Sequence, residues 1–364
     1  SPPLLTLKRV QKRGAEGPPF LPRITLPSSV DLSLRRILGR SRPTHQSASE
    51  QKMRGGRAER GSLKRPRVQG RGAEPTLRPP LRTVFEAQYK EKKLLGEGGF
   101  GSVFAGYHVS FFLQVAIKHI RQSGICVLFC SKKLLDGEIS MVPLEVVLML
   151  KVKPAASGTR AAVALLDWYD LDDELILVLE RPVPCCDLID YMNSRGSGLQ
   201  EHEAKVFAKQ LVDAVIEIHS RGVFHCDIKM ENILVETGSE VPRVRLIDFG
   251  CSTFLSDGTY KSKQGTFEYT SPEWFTDKEY RAEPATVWQL GVVIFGLLHE
   301  DVPFESKPDI VYGYPYIRES LSTDCCNFLL SCLSKIPEYR PTLETLRNHP
   351  WLIYSRSSPV KMPF

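Results

Sequence analysis

The spacing of apolar positions changes character at about residue 88. Before that point, the stretch MRGGRAERGSLKRPRVQGRG (53–72) has neither a helical nor a strand period. From Tyr89 onward, apolar residues gather in short runs that are rich in β-branched and aromatic side chains, in YKEKKLLGEGGFGSVFAGYH, QVAIKHI, ALLDWYD and ELILVLE. Runs of this kind predict β-strands, and a glycine turn joins the first two. The region after residue 88 is therefore expected to begin with a sheet.

Helical periodicity dominates after residue 184. Apolar residues at i, i+3 and i+4 predict one long helix that is buried on one side. VWQLGVVIFGLL (287–298) is too short to cross a membrane, which takes about 18 residues, and predicts a buried core helix instead. An earlier segment, PLEVVLMLKV (143–152), also has helical period. The positions that define the long helix are Ala204, Phe207, Ala208, Leu211, Val212, Val215 and Ile218.

Composition separates residues 1–88 from the rest of the chain. They are rich in Pro, Gly, Ser and Arg and contain few aromatic residues. Such a segment cannot bury enough apolar surface to offset the entropy lost on ordering, so we predict a disordered basic tail. We expect this tail to be solvated without a specific partner. Nucleic acid, an anionic membrane and an importin are the alternative partners that its charge leaves open.

Overall charge and cysteine usage exclude several classes of protein. The net charge of +6 over 364 residues is mild, and it does not by itself indicate a nucleic-acid partner. The nine cysteines are scattered without a CxxC spacing, which indicates reduced thiols. No apolar run is long enough for a membrane span, and no secretory pattern opens the chain. We expect a monomer in the cytoplasm, with the nucleus as a further location.

A glycine-rich segment, LGEGGFGSV (95–103), has the spacing GxGxxG. Glycines at this spacing let backbone N–H groups approach phosphate oxygens without a Cβ in the way. Dinucleotide-binding loops have the same spacing but lead into a helix. Here the following residues, SVFAGY, predict a strand, which disfavours a nicotinamide cofactor. The segment is better explained as a phosphate-binding hairpin.

A lysine at the end of a strand requires a partner if it is buried. Lys118 ends the run VAIK, and an unpaired buried charge is costly. Glu145, on the predicted helix that follows, is a suitable partner. A surface lysine on a strand is the alternative, and the preceding glycine loop disfavours it. The two residues are therefore predicted to form an ion pair.

Polar residues with phosphate and metal chemistry gather in FHCDIKMENILV (224–235) and LIDFG (246–250). Asp227 could accept a proton from an attacking hydroxyl, and Lys229 could lie against a transferring phosphate. The carbonyl oxygen of Asn232 and the carboxylate of Asp248 are hard ligands that suit Mg²⁺. Each residue alone could equally be a polar turn residue. Their order along the chain carries the argument.

The glycine loop, the VAIK lysine, the helix glutamate, HxDxxxxN, DFG and SPE occur in one order, and this set resembles the protein kinase family across residues 89–352. The resemblance implies an α+β, two-lobed kinase fold that uses ATP and Mg²⁺. The N-lobe would span about 89–180 and the C-lobe about 185–352, followed by a C-terminal tail at 353–364. Glu273 in TSPEW and Arg340 in YRPT resemble the buried ion pair of that family.

Finer features resemble the Pim serine/threonine kinases. LLGEGGFGSV, VPLEVVLM, LLDWYD and LERPVP are similar to that family. After the expected gatekeeper Leu179, the hinge carries Pro182, which has no N–H to offer adenine, so ATP would rest on the Glu180 carbonyl and on apolar contacts. ATVWQLG has Thr286 where most kinases have aspartate, and Pim enzymes also lack that acid. The resemblance places the nucleotide against Leu95, Gly96, Glu97, Gly98, Gly99, Phe100, Gly101, Ser102, Val103, Ala116, Lys118, Glu145 and Glu180.

The resemblance also implies a substrate class. Lys229 favours serine and threonine over tyrosine as acceptors. In Pim-like kinases, acids at the positions of Asp187, Glu231 and Asp301 face the peptide upstream of the target hydroxyl, so we expect protein substrates with basic residues there. A helix N-terminus could explain Asp187, and it explains Asp190 better. Met230, where the family often has an acid, would soften the preference.

Cys226 departs from the kinase pattern, because an arginine normally follows the histidine of the catalytic loop. That arginine contacts the activation segment, often through a phosphate, so its loss removes a permanent charge and a bidentate donor. Asp227, Lys229 and Asn232 remain, and we expect catalysis without phosphorylation of the activation segment. The alternative is a pseudokinase scaffold that binds nucleotide without turnover. A third reading is a nucleic-acid binder acting through residues 1–88, with a steep dependence on salt.

Overall fold

The computed structural model of the protein describes residues 80–353, apart from residues 100, 126, 131–139, 154–160 and 197. Within these ranges a strand-rich lobe comes first and a helix-rich lobe follows, so the predicted two-lobed α+β architecture is confirmed. Most of the predicted N-terminal tail, residues 1–79, lies outside the described residues, as do residues 354–364 of the predicted C-terminal tail.

The first lobe is built on a five-stranded antiparallel sheet with the strand order β1-β2-β3-β7-β6. Gly98 pairs with Gly101, so only two residues connect the first two strands at the predicted glycine turn. The strands predicted from β-branched runs are all present. Their bounds are β1 Tyr89–Gly98, β2 Gly101–His108, β3 Gln114–Arg121, β6 Leu165–Asp170 and β7 Glu174–Glu180.

A short helix, α1 (Leu81–Gln88), covers one face of this sheet and corrects the predicted tail boundary at residue 88. Its Phe85 is buried and packs against Tyr89 and Tyr169, with ring centroids 5.9 and 5.3 Å away. Arg82 pairs with Glu174 of β7 at 2.7 Å. The segment is ordered because Phe85 closes an apolar cluster on the sheet, which a composition average over 88 residues does not reveal.

Helix α2 (Leu144–Val152) packs on the opposite face of the sheet, on the side of the second lobe. It confirms the predicted helix at 143–152. Proline precedes the helix at its N-terminus, and its residues are nearly all buried. A two-stranded ladder of β4 (Val127–Cys130) and β5 (Ser140–Pro143) leads into α2. One sheet face thus bears the helix that carries Glu145, and the other is closed by α1.

Two helices form the centre of the second lobe. The predicted long helix is α4 (Glu201–Ser220), and the predicted core helix is α6 (Ala282–His299), which is buried over nearly its whole length. They share one hydrophobic core. The remaining helices are α3 Leu188–Arg195, α5 Pro272–Thr276, α7 Lys307–Tyr312, α8 Thr323–Cys332, α9 Leu343–Arg347 and α10 Pro350–Ile353. None of the helices in the described part of the chain is long and apolar enough to cross a membrane.

Short strands fix the loops in the first part of the second lobe. β10 (Ile233–Glu236) pairs with β11 (Arg243–Leu246) and with β8 (Cys185–Asp187), and β9 (Val223–Phe224) pairs with β12 (Thr253–Phe254). The loop that carries Asp227 therefore lies between two ladders, β9–β12 and β10–β11. The expected ion pair is also present, because Arg340 Nη2 lies 2.7 Å from Glu273 Oε2, with both side chains buried.

Candidate active site

Lys118 stands where the two lobes meet and has two carboxylate partners. Its Nζ lies 2.7 Å from Glu145 Oε1 and 2.9 Å from Asp248 Oδ1. Burial alone would lower the pKa of Lys118, but the carboxylates of Asp248 and Glu145 raise it above its usual range. The predicted Lys118–Glu145 pair is confirmed. The lysine is a cation whose geometry is fixed from both lobes.

Asp248 remains ionised in this environment. Burial would raise its pKa, yet Lys118 and the Gly250 N–H lower it to about 2. Its backbone is left-handed, with φ of 64°, and its Oδ1 accepts a hydrogen bond from Gly250 N at 3.2 Å. The turn therefore places an acceptor carboxylate at the end of β11, as the sequence predicted for a metal ligand.

Asp227 lies at the centre of a hydrogen-bonded cluster with three other side chains. Its Oδ1 accepts from the Thr266 hydroxyl at 2.7 Å and from Thr266 N at 2.9 Å. Lys229 Nζ lies 3.3 Å from Asp227 Oδ2 and donates to the same Thr266 hydroxyl at 2.8 Å. A hydroxyl is thus held between a carboxylate and an ammonium group. This is the environment that an acceptor serine or threonine needs for proton loss.

The side-chain orientation of Asn232 suits a cation site. Its Nδ2 donates to the Asp227 carbonyl at 2.9 Å and to Asp227 Oδ2 at 3.1 Å, which leaves the amide oxygen as the atom that can ligate a metal. Asn232 and Asp248 together fit Mg²⁺, which takes few protein oxygens and completes its shell with phosphate and water. In the described ranges, no group of three or more His, Cys, Asp and Glu residues could hold a metal by itself.

The glycine hairpin leaves open space at two of its positions. A Cβ on Gly96 or Gly98 would meet nothing within 4 Å, so protein packing does not require glycine there. Gly101 differs, because its φ is +120° and a Cβ would lie 1.7 Å from the His119 carbonyl oxygen. The turn thus needs Gly101, whereas the first two glycines leave their backbone accessible to a ligand. The side chain of Phe100 lies outside the described residues.

The remaining predicted nucleotide contacts lie on or beside the sheet face that carries Lys118. Val103 pairs with Lys118 across β2 and β3, and Ala116 is two residues away on β3, so all three share one face. Leu95 is 41% exposed at the edge of the hairpin, which leaves apolar surface for a flat ring. Glu97 accepts a hydrogen bond from the Ser102 hydroxyl at 3.5 Å, which joins the two strands near the turn.

The hinge is held by its first residue. The Glu180 carboxylate accepts from Ala164 N at 3.2 Å and pairs with Arg245 at 3.1 Å. Arg245 in turn contacts Glu236 at 2.6 Å. The side chain of Glu180 thus bonds to this network, and the contact of its backbone carbonyl with adenine stays a prediction. Pro182, two residues later, has no N–H to donate.

Two residues that the sequence analysis missed support the catalytic loop. One is Thr266. The other is Gln289 on α6, whose Nε2 donates to the Cys226 carbonyl at 2.9 Å and whose Oε1 accepts from Ile228 N at 3.4 Å. Thr286 instead bonds away from the loop, to the Ala282 carbonyl at 2.8 Å and to His219 Nε2 at 3.3 Å. The sequence does contain a signal for Gln289, because this glutamine lies one helical turn after Thr286, the position at which most kinases carry aspartate.

Cys226 is buried in an apolar cluster with Phe224, Tyr280 and Ala282. Its backbone is left-handed, with φ of 67°, and burial raises the pKa of its thiol. Tyr260 of the segment that follows DFG stacks on Tyr280, with ring centroids 5.7 Å apart. The position that carries arginine in the resembled family is thus apolar here. Free thiols are found for Cys185, Cys186, Cys226, Cys251, Cys325, Cys326 and Cys332, as predicted.

The predicted peptide-facing acids differ in their surroundings. Asp187 caps α3, because its Oδ1 accepts from Asp190 N at 2.7 Å. Asp187 therefore does stabilise a helix N-terminus, which was the alternative explanation for this residue. Any contact of Asp187 with a peptide substrate would be a second role. Glu231 and Asp301 are exposed. Asp301 contacts only the adjacent Val302 N in the hydrogen bonds of the described residues, at 2.8 Å.

Comparison with known proteins identifies the family of this chain. A family model described as "Protein kinase domain" matches residues 89–352. The chain is 40% identical over 275 residues to "Serine/threonine-protein kinase pim-2" of Danio rerio, covering 74% of this chain and 86% of that protein. It is 34% identical over 275 residues to "Serine/threonine-protein kinase prk-2" of Caenorhabditis elegans, covering 74% and 59% respectively. "PAS domain-containing serine/threonine-protein kinase" of Mus musculus is 30% identical over 272 residues, 74% of this chain and 19% of that protein.

Proposed function

Because the chain belongs to the protein kinase family and is a serine/threonine kinase similar to Pim enzymes, we propose that it phosphorylates hydroxyls preceded by basic residues. The observation that carries the catalytic part is the Thr266 hydroxyl, held at 2.7 Å from Asp227 and 2.8 Å from Lys229. A substrate hydroxyl entering beside these groups would meet the same acceptor and the same cation.

Each group has a role that its geometry supports. Phosphoryl transfer depends on positioning and on charge stabilisation. Lys118, fixed by Glu145, would pair with the α and β phosphates of ATP, and Asn232 and Asp248 would hold Mg²⁺. When bound, the metal offsets phosphate charge. Asp227 would accept the proton of the substrate hydroxyl and orient it, and Lys229 would stabilise charge on the transferring group.

A peptide kinase assay tests this proposal. The protein should phosphorylate a serine peptide that carries upstream arginines, and Asp227→Asn should reduce kcat by about 100-fold or more, because general-base positioning is worth about 10²–10⁴. Nucleotide binding should persist in this variant. Nucleotide binding without turnover by the unmodified protein would instead indicate the pseudokinase scaffold.

The preference for basic peptides is proposed to depend on the charges of Asp187, Glu231 and Asp301. Since Asp187 also caps α3, alanine would remove a cap worth about 0.5–2 kcal/mol together with the charge. Asparagine caps about as well, so Asp187→Asn tests charge alone. Asp187→Asn, Glu231→Gln and Asp301→Asn should each raise KM for the peptide and leave KM for ATP unchanged.

Asp190→Asn is the matched control for this series. Asp190 also lies in the first turn of α3 and is exposed, but we assign its charge to the helix N-terminus. A peptide array should show a weaker upstream arginine preference for the three variants and an unaltered one for the control. If all four variants kept the profile of the unmodified protein, the assignment of these acids to substrate selection would be wrong.

Activity is proposed to be independent of phosphorylation in the activation segment. Tyr260 and Tyr280 support this proposal, because they hold the segment by hydrogen bonds and stacking. The Tyr260 hydroxyl donates to the Phe254 carbonyl at 2.9 Å, and the Tyr280 hydroxyl donates to the Ser262 carbonyl at 3.1 Å. Protein treated with phosphatase should therefore keep its kcat. Loss of activity that ATP preincubation restores would contradict this.

A further inference from the structure

The hairpin between β2 and β3 ends in exposed hydrophobic side chains. Val109, Phe111, Phe112 and Leu113, which we call the hairpin tip, are 36%, 76%, 74% and 53% exposed. Phe112 stacks on Tyr107 with centroids 6.1 Å apart, and Phe111 lies against His108 at 4.7 Å. Both rings are thus held in place from one side, and the rest of their surface faces water. Isolated exposed apolar residues are common, but a contiguous group with two phenylalanines is unusual.

The backbone at Phe112 adds a second observation. Its φ is 52°, in the left-handed region, where a bulky aromatic residue is an outlier. Glycine or asparagine would adopt this turn at lower cost. The turn therefore holds a ring that stacks on Tyr107 with one face and is otherwise exposed, at the cost of a strained backbone. Strain of this kind is often found at functional positions.

Exposed lysines lie on β1, the strand that pairs with the β2 arm of the hairpin. Lys90 pairs with Tyr107 across β1 and β2 and is exposed, and Lys92 Nζ lies 4.7 Å above the Tyr107 ring. The nearby Lys93 is also exposed. Of the acids beside them, Glu91 is paired with His119 at 2.8 Å, and Glu86 is exposed on α1. The protruding apolar tip thus has a mainly basic margin.

The basic N-terminal segment joins the domain on the same side. Val109 N at the tip donates to the Gln88 carbonyl at 2.8 Å, and Gln88 ends α1. Eight helical residues span about 12 Å, so residues 1–79 enter the domain within that distance of this contact. Residues 1–79 contain 18 Lys and Arg against 5 Asp and Glu, whereas residues 80–364 contain 30 against 37. The excess of positive charge thus lies in the part of the sequence that immediately precedes α1.

We propose that the hairpin tip inserts into an anionic membrane surface, with the exposed lysines of β1 contacting lipid headgroups. Aromatic residues favour the interface between headgroups and acyl chains, and each basic residue near an anionic surface adds attraction. A convex tip with a basic margin fits a lipid surface better than a protein partner, because it presents no groove for a partner to fill. Two separate signals are also what stable peripheral binding requires.

Vesicle cosedimentation of the full chain tests this proposal. Vesicles of phosphatidylcholine with about 30% phosphatidylserine should bind the protein, vesicles of phosphatidylcholine alone should bind it poorly, and salt should weaken binding. Phe111→Ser combined with Phe112→Asn should reduce partitioning about tenfold or more, equivalent to about 1.4 kcal/mol. Phe112→Asn alone should leave Tm unchanged or raise it, since asparagine tolerates the left-handed backbone.

Tyr314→Ser is the matched control, because Tyr314 is 90% exposed but lies in the other lobe. It should leave vesicle binding unaltered. Absence of binding to anionic vesicles would overturn the proposal, and so would binding that the two phenylalanine substitutions leave unchanged. A dimer that the same substitutions dissociate, without vesicle binding, would identify the tip as a self-association surface and also overturn it. Peptide phosphorylation is measured separately, so failure here does not bear on the proposed kinase activity.

Discussion

At the residue scale, the catalytic loop depends on a side chain that is distant in sequence. Gln289 bonds to the peptide groups on both sides of Asp227, through the Cys226 carbonyl at 2.9 Å and Ile228 N at 3.4 Å. Cys226 has a left-handed backbone, and its carbonyl oxygen would lie only 2.5 Å from a Cβ at Gly265. The loop has little room to find another donor. We therefore assign Gln289 a positioning role toward Asp227.

We predict that Gln289→Met lowers kcat about tenfold while KM for ATP stays unchanged. A buried carbonyl and N–H left without partners cost about 1–3 kcal/mol, and the loop would shift to recover them. ATP binding should persist because Lys118 and Glu145 are untouched. Thr286→Val is the control, since Thr286 is buried in the same helix but bonds to the Ala282 carbonyl and to His219, neither of which belongs to the catalytic loop. Equal losses of kcat in both variants would indicate general damage to α6.

Residue-level prediction from sequence succeeded where function fixes the local spacing. Lys118, Asp227 and Asn232 stand in short motifs whose order is diagnostic, and the structure brings them together with Glu145 and Asp248. Gln289 and Thr266 were missed because their contacts to the loop cross 61 and 39 residues of chain. Such contacts depend on helix packing and on the path of the activation segment, which periodicity does not specify.

At the element scale, α1 shows where pattern reasoning ends. Eight residues are too few for a reliable helical period, and the helix follows a segment rich in proline and arginine. An isolated helix of this length would be marginal, so its order depends on packing against β1, β6 and β7. Strands and longer helices were predictable, because their apolar periods extend over whole elements and match the buried faces.

We predict that Phe85→Ala lowers the free energy of unfolding by about 3–5 kcal/mol, the range for truncating a buried phenylalanine. Phe85 is 4% exposed and contacts Tyr89 and Tyr169, so its loss would open a cavity on the sheet. Glu86→Ala, at the exposed neighbouring position, should change stability by less than about 0.5 kcal/mol. Denaturant unfolding measures both variants. Similar effects for the two would mean that α1 is not docked on the sheet in solution.

At the scale of the whole molecule, stability should fall in mild acid. His219 of α4 lies between Phe224 and Thr286, and burial lowers its pKa to about 4. Burial also lowers the pKa of His225, His299 and His349. These rings are neutral in the native state at neutral pH but bind a proton on unfolding once the pH is below about 6.5. The unfolded state then binds more protons, so the free energy of unfolding decreases as the pH falls from about 6.5 toward 4.

We predict that Tm falls between pH 7.5 and pH 5 and that His219→Gln makes this decrease smaller. At pH 8 the imidazole is neutral in both states, so the Tm difference between the variant and the unmodified protein there measures lost packing alone. Moving to pH 5 should shrink that difference, because only the unmodified protein carries the cost of keeping His219 deprotonated. The contribution of neutral, buried His219 to the free energy of unfolding is complete above the pKa of the unfolded chain and is lost as the pH falls below that value. Tm therefore decreases as the pH decreases. If the difference in Tm between His219→Gln and the unmodified protein stayed constant from pH 8 to pH 5, His219 would bind a proton as readily in the native state as in the unfolded chain. The buried environment described for His219 between α4 and α6 would then be incorrect.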